Sequence, residues 1–215
     1  MVYHRLYLLN RNSECIPRRL LRGSLITPGN ILRIISGTLR GKKLHPFQGK
    51  GIRPTSDRTR EAIFNILSDR VPGAVVLDLF AGSGALGIEA LSRGADMATF
   101  IDMAPAAVSL LEKNLRSCCL EDRARIISWN IERNLNCLQS HDYPYTLVFL
   151  DPPYHKGMLL PALKHLKKNK TLTPSACLVL EHGDVDELPL PIAEFVLLDQ
   201  RRYGKTLVSF LRYMV

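Results

Sequence analysis

The sequence predicts an α/β fold, a seven-stranded and mostly parallel sheet that ends in an antiparallel hairpin and is preceded by a small β-hairpin. Three observations carry this. From Val75 onward, short apolar runs alternate with helical stretches, the pattern of a parallel sheet covered by helices on both faces. A glycine-rich turn, Gly82 to Gly87, follows the first of those runs. The last two runs are joined by a polar stretch containing Gly204 instead of a helix, which adds an antiparallel strand to the sheet.

Taken in order, residues 1–30 show no sustained period and are interrupted by Pro17, Pro28 and Gly29, so they form a basic N-terminal extension. Ile31 to Ile35 reads as a strand, Gly37 to Gly41 as a turn and Lys42 to Phe47 as a second strand. This hairpin unit, bounded at 31–52, carries Arg33, Arg40, Lys42 and Lys43. Residues 53–215 make the main domain. It opens with Pro54, Thr55, Ser56 and Asp57, a helix start with cap candidates and an acid in the first turn. Ile63, Phe64, Ile66 and Leu67 then supply an apolar stripe at helical spacing. Strands are expected at 75–80, 97–101, 125–128, 145–150, 177–180, 194–198 and 207–213, and helices near 86–93, 106–116 and 159–168.

At 215 residues, 46% apolar and 23% charged, the chain can bury one extensive core and is not of disordered composition. Its longest apolar runs are strand-length, which excludes a helical membrane span. The stretch from Met1 to Leu9 is broken by His4 and Arg5 and is followed by no small-residue cleavage site, so it reads as neither signal peptide nor anchor. Cys15, Cys118, Cys119, Cys137 and Cys177 show no C-x-x-C spacing; neither a zinc site nor a disulfide framework is expected, and the thiols fit a reduced, cytoplasmic protein. Charge is unevenly spread. Residues 1–60 hold 13 Lys and Arg against only Glu14 and Asp57, whereas the rest holds 16 against 18 acids. A basic N-terminal quarter on a near-neutral body is a platform for a polyanion.

Two motifs carry the chemistry. Gly82-Ser83-Gly84-Ala85-Leu86-Gly87 is G-x-G-x-x-G between a strand and a helix, and Asp102 ends the next strand. Both features fit a nicotinamide dinucleotide as well as S-adenosylmethionine. Asp78 separates the two, because a carboxylate just before the glycines would repel a pyrophosphate but can hold the ammonium of a methionine moiety. It could alternatively cap the next helix. Asp102 can accept the ribose hydroxyls, and Asn130 is placed either to read the adenine amino group or to shape a turn.

The second motif, Asp151-Pro152-Pro153-Tyr154, follows the fourth strand at the carboxyl edge, where open α/β sheets bind ligands. An exocyclic amine of a base is a poor nucleophile because its lone pair is delocalised into the ring. The Asp151 carboxylate and the Pro152 carbonyl can accept its two N–H bonds and turn the lone pair outward. The prolines fix φ and hold the carbonyls in place. Tyr154 offers a face for stacking, worth about 1–3 kcal/mol.

With both motifs in place, the sequence resembles the bacterial RsmD family, which methylates the exocyclic N2 of a guanine in small-subunit (16S) ribosomal RNA. The resemblance spans about residues 31–213. It is carried by Arg33-Ile34-Ile35-Ser36-Gly37 with Arg40-Gly41, Arg53-Pro54-Thr55 with Arg60-Glu61-Ala62 and Phe64-Asn65, the glycine loop, Asp151-Pro152-Pro153-Tyr154, and Arg202-Tyr203-Gly204. It implies a class I, Rossmann-like methyltransferase domain at 53–215 and a hairpin at 31–52 that helps hold RNA. The expected cofactor is S-adenosylmethionine, held by Thr55, Asp78, Phe80, Ala81, Gly82, Gly84, Asp102 and Asn130. RNA would be gripped by Arg33, Arg40, Lys42, Lys43, Arg53 and Arg60. The expected substrate is a loop guanine on the small ribosomal subunit, and the expected enzyme is a monomer without metal or membrane partner. The family usually has Glu where Asp102 stands, and residues 1–30 have no counterpart. Rival readings are a DNA adenine-N6 or cytosine-N4 methyltransferase, a nicotinamide-dependent oxidoreductase, and a non-catalytic RNA-binding protein.

Overall fold

Residues 32–46, 56–139, 144–153, 157–183 and 194–215 are described by a computed structural model of the chain. The N-terminal extension and three site residues, Arg53, Thr55 and Tyr154, lie outside the described residues.

Seven strands form one sheet: β1 Val75–Leu79, β2 Met97–Asp102, β3 Ala124–Ser128, β4 Tyr145–Leu150, β5 Leu172–Gly183, β6 Phe195–Tyr203 and β7 Thr206–Tyr213. Their order is β3-β2-β1-β4-β5-β7-β6, parallel from β3 to β5, with β7 antiparallel to both its neighbours. Strand order reverses between β1 and β4, and that switch point opens a crevice at the carboxyl edge. The helices are α1 Asp57–Ile66, α2 Ala85–Ser92, α3 Pro105–Cys118 and α4 Leu159–Asn169.

The central strands are buried on both faces, so they read as continuous apolar runs, as in Tyr145-Thr146-Leu147-Val148-Phe149-Leu150. Two core layers result. One joins Val76, Phe100, Phe149 and Val179 to α1, α2 and α3. The other joins Leu77, Leu79, Val148 and Leu180 to α4. Helix α1 starts where the sequence places it, with the Ser56 hydroxyl accepting the Thr59 amide at 3.1 Å. Its stripe is narrower than expected, since Ile63, Phe64 and Leu67 are buried but Ile66 is exposed.

The N-terminal hairpin is less regular than two strands. Its ladder is one antiparallel bridge, Arg33 with Lys43, flanked by Ile34 N to Lys42 O and Leu44 N to Leu32 O, both 2.9 Å. Leu32, Ile34 and Leu44 share the core layer of α1 and α2, so the hairpin is packed onto the domain. This explains α2, whose residues from Leu86 to Ser92 are all buried: the sheet covers one side and the hairpin another. None of the described cysteines forms a disulfide, and no described helix is long and apolar enough to cross a membrane.

Candidate active site

Strand pairing brings the two motifs together. Leu79 at the end of β1 is in register with Leu150 at the end of β4. The chain therefore leaves these neighbouring strands as Phe80-Ala81-Gly82 on one side and Asp151-Pro152-Pro153 on the other. Asp151 is half-buried, Pro152 buried and Pro153 exposed.

The glycine loop is held by named contacts. Phe80 adopts φ 61, a left-handed conformation that costs a non-glycine residue about 1–2 kcal/mol, and it turns the chain out of β1. Ala81 N donates to Ile101 O at 3.1 Å, and Gly84 N to Ala81 O at 2.7 Å. Gly84 caps α2 at φ 77, where a Cβ would come within 2.3 Å of Leu111. A Cβ on Gly87 would meet the Phe100 ring at 2.3 Å. A Cβ on Gly82 would meet nothing nearer than the Phe80 carbonyl at 3.9 Å, so packing demands glycine at 84 and 87, while the backbone at 82 faces open space.

Two carboxylates line this loop. Asp78 is buried, and its Oδ2 accepts the Gly87 amide at 2.9 Å. Gly87 is the third residue of α2, so the helix-capping reading of Asp78 is what the structure shows. The cap engages only one oxygen, and Oδ1 accepts no hydrogen bond among the described residues. Burial pushes the Asp78 carboxyl up to about 7; the Gly87 amide opposes this and the charge of Asp102 adds to it. Asp102 accepts the Gly82 amide on Oδ2 and the Ala104 amide on Oδ1, both at 2.9 Å, leaving each oxygen one lone pair. A site with an open glycine backbone, a half-used buried carboxylate and a two-oxygen acceptor fits an amino-acid-bearing nucleoside such as S-adenosylmethionine.

Asn130 does form a turn, since its Oδ1 accepts the Glu132 amide at 2.9 Å. Two residues beside it escaped the sequence reading: Met103 and Trp129, among the few large apolar residues that are exposed. The Trp129 amide donates to Asp102 O at 3.1 Å, and its indole N–H to Asn134 O at 3.0 Å. The signal was available, because both follow directly on strands that end at the carboxyl edge.

The basic residues divide. Arg33, Arg40, Lys42 and Lys43 are exposed, and Arg33 pairs with Asp57 at 3.0 Å. The hairpin turn docks at the far end of α2, with Thr38 N donating to Ser92 O at 2.8 Å. That end lies about 12 Å along the helix from the glycine loop, at 1.5 Å per residue. Arg40 and Lys42 are therefore not gathered around Asp151. Arg60 requires a correction: expected to grip RNA, it is 0% exposed and cannot reach a phosphate. Its Nη2 donates to Arg33 O at 2.6 Å and to Asp57 Oδ1 at 2.9 Å, fastening α1 to the hairpin. Burial lowers its pKa, with Glu89 and Asp57 opposing.

Two further polar residues tie the hairpin to the loop's own helices. Glu89 accepts the Ile35 amide at 2.7 Å, the Ser36 amide at 3.0 Å and Arg93 Nε at 2.7 Å. Asn114 of α3 is buried; its Oδ1 accepts His45 N at 2.7 Å, and its Nδ2 donates to His45 O at 3.1 Å and to Ser83 O at 2.9 Å.

Comparison with known proteins agrees with this architecture. The family described as Conserved hypothetical protein 95 matches residues 32–212. The ribosomal RNA small subunit methyltransferase D of Escherichia coli K12 is 38% identical over 174 residues, 81% of this chain and 86% of that protein. The protein of the same name from Haemophilus influenzae is 36% identical over 183 residues, 85% of this chain and 93% of its own. A solved structure from Escherichia coli superposes with a TM-score of 0.73 at 36% identity, covering 85% of this chain and 97% of the other. The fold is thus the α/β methyltransferase fold with a seven-stranded mixed sheet, and the chain belongs to the ribosomal RNA small subunit methyltransferase D family, the family whose model is described as Conserved hypothetical protein 95.

Proposed function

We propose that this chain transfers a methyl group from S-adenosylmethionine to the exocyclic N2 of a guanine in small-subunit ribosomal RNA, presented on the small subunit. One observation carries the reading: the register of Leu79 with Leu150, which sets the glycine loop beside Asp151-Pro152-Pro153 at the switch point. The names of the Escherichia coli and Haemophilus influenzae relatives support the RNA substrate.

S-adenosylmethionine, when bound, supplies a methyl group on a sulfonium. Asp78 Oδ1 would hold its ammonium, the Asp102 oxygens would accept ribose hydroxyls on their remaining lone pairs, and Met103 and Trp129 would offer apolar surface to the adenine. At the other side of the crevice, the Asp151 carboxylate and Pro152 carbonyl would accept the two N–H bonds of the guanine amine; Tyr154, which the sequence offers for stacking on the base, lies outside the described residues. Alignment of amine and methyl is then the main contribution to rate. The amine proton becomes acidic once the new bond forms, so Asp151 need not be a strong base. Because the base must be splayed out to arrive there, an RNA loop is the fitting substrate.

The test is labelled S-adenosylmethionine with naked small-subunit RNA and with small subunits from a strain lacking the modification, followed by nucleoside analysis. Label in N2-methylguanosine is expected. Label in N6-methyladenine or N4-methylcytosine of DNA, or none in RNA, overturns the reading.

A further inference from the structure

Helix α3 carries an asparagine where its pattern calls for an apolar residue. Leu111 and Leu115 are buried in the core layer of Phe100, and Asn114 between them is 0% exposed. A primary amide there is unfavourable for the helix and costly to bury unless its hydrogen bonds are made. They are made, and none of the side-chain bonds stays within the helix. Oδ1 accepts His45 N at 2.7 Å and Nδ2 donates to His45 O at 3.1 Å, so the amide pairs with one residue's backbone as a neighbouring strand would. The second Nδ2 hydrogen goes to Ser83 O at 2.9 Å. Pairing with His45 fixes the plane of the amide, and that plane fixes where the second hydrogen points.

Ser83 stands between the first two glycines of the turn. The peptide that joins it to Gly84 is held at both ends, its oxygen by Asn114 and its N–H by Ala81 O at 2.7 Å. The amides of Ala81 and Gly82 are spent on Ile101 O and Asp102 Oδ2. Among the described residues the Ser83 amide donates to no group, which leaves it as the turn's donor for a ligand. Without Asn114, that peptide would keep only its Gly84 anchor, and Gly84, at φ 77 and with no side chain, lets it rotate. Leu111, one turn before Asn114 on the same face of α3, closes this side of the turn, since a Cβ on Gly84 would lie 2.3 Å from its Cδ1.

We propose that Asn114 is a positioning residue for S-adenosylmethionine, acting through the Ser83 carbonyl with the His45 backbone as its fixed reference. Being fully buried, it touches no part of the cofactor itself. The assignment rests on the S-adenosylmethionine reading of the glycine loop and is independent of which base is methylated.

The experiment titrates S-adenosylmethionine into the unloaded protein by calorimetry. Asn114→Leu is close in size and a better helix former but makes no hydrogen bond. Its Kd should rise about tenfold, equivalent to about 1.4 kcal/mol, as for a buried carbonyl left without its donor. If Asn114→Leu does not fold, Asn114→Ser, whose smaller side chain lets water reach both carbonyls, carries the same comparison. Glu89→Gln is the control. It weakens the other tie between hairpin and helix, at the Ile35 and Ser36 amides and Arg93, without touching the turn. It should lower the unfolding midpoint while Kd stays within twofold, a separation that a purely structural role for Asn114 would not give. If wild type binds and the Asn114 variant binds equally well, or if Glu89→Gln weakens binding as much, the Asn114 assignment falls alone. If wild type does not bind S-adenosylmethionine, the cofactor reading falls and takes this one with it.

Discussion

Asp78 reaches nine residues ahead to Gly87: its Oδ2 accepts that amide at 2.9 Å, so the last turn of β1 and the first turn of α2 are clamped by one buried carboxylate. The same side chain has its pKa raised to about 7 by burial.

That shift has a sign that can be measured. Between about pH 4 and 7 the folded chain holds a proton at Asp78 that the unfolded chain has lost, so stability contributed by this group falls as pH rises through that window. Urea midpoints of wild type should drop from pH 5 to pH 8 relative to Asp78→Asn, whose amide oxygen can still accept from Gly87. An ammonium at Oδ1 favours the carboxylate, so cofactor affinity should increase toward pH 7 and binding at pH 6 should release a proton. Calorimetry in two buffers of different ionisation enthalpy counts that proton; a count of zero removes Asp78 from the ammonium site.

Gly37 and Gly41 have nearly the same left-handed φ, 84 and 82, but different surroundings. A Cβ on Gly37 would lie 1.9 Å from the Ser92 carbonyl oxygen, whereas one on Gly41 would meet nothing within 4 Å. Gly41→Ala should cost about 1–2 kcal/mol for conformation alone. Gly37→Ala should cost about 2–4 kcal/mol, because the clash with α2 adds to that strain. Equal unfolding midpoints for the two variants would show that the hairpin is not pressed against the helix.

Arg60 and Lys43 should behave oppositely. Arg60→Leu leaves Asp57 Oδ1 and the Arg33 carbonyl without a donor, while Arg33 Nε still holds Asp57 Oδ2, and should destabilise by about 2–3 kcal/mol, while the salt slope of RNA binding stays as in wild type. Lys42→Ala with Lys43→Ala should leave the unfolding midpoint alone and flatten the salt slope. An Arg60→Leu protein of normal stability with a flattened slope would return Arg60 to the RNA surface.

Asp151→Ala should abolish methyl transfer to RNA while cofactor binding survives. If calorimetry shows cofactor binding lost as well, Asp151 belongs to the cofactor pocket and not to the amine.

Much of this arrangement was legible because buried parallel strands are plain apolar runs. The expected bounds of β4 coincide with those observed, and β1 differs only at Phe80, whose positive φ ends the strand. Strand β5 begins five residues earlier than expected. Thr173-Pro174-Ser175 interrupt its apolar run, and the register with β4 shifts between Tyr145 and Leu147. Strand β6 continues through Asp199-Gln200-Arg201-Arg202 because an edge strand can carry charge. The site motifs were visible for the same local reason, since turn and strand-end chemistry lies within a few residues. Long-range polar contacts were not. Arg60 looked like any exposed cation, and its buried role depends on the carbonyl of Arg33, 27 residues away. Glu89, an acid inside the apolar helix Ala85–Ser92, was the available sign that something docks there.

The contact from Asn114 to both His45 and Ser83 bears on any attempt at chimeras. Because one side-chain amide serves the hairpin's exit and the cofactor turn together, the hairpin is not an interchangeable accessory. A graft from a relative would have to bring a matching partner on α3, and trimming the chain back to its sheet and helices would leave the Ser83 carbonyl's anchor without its counterpart at His45.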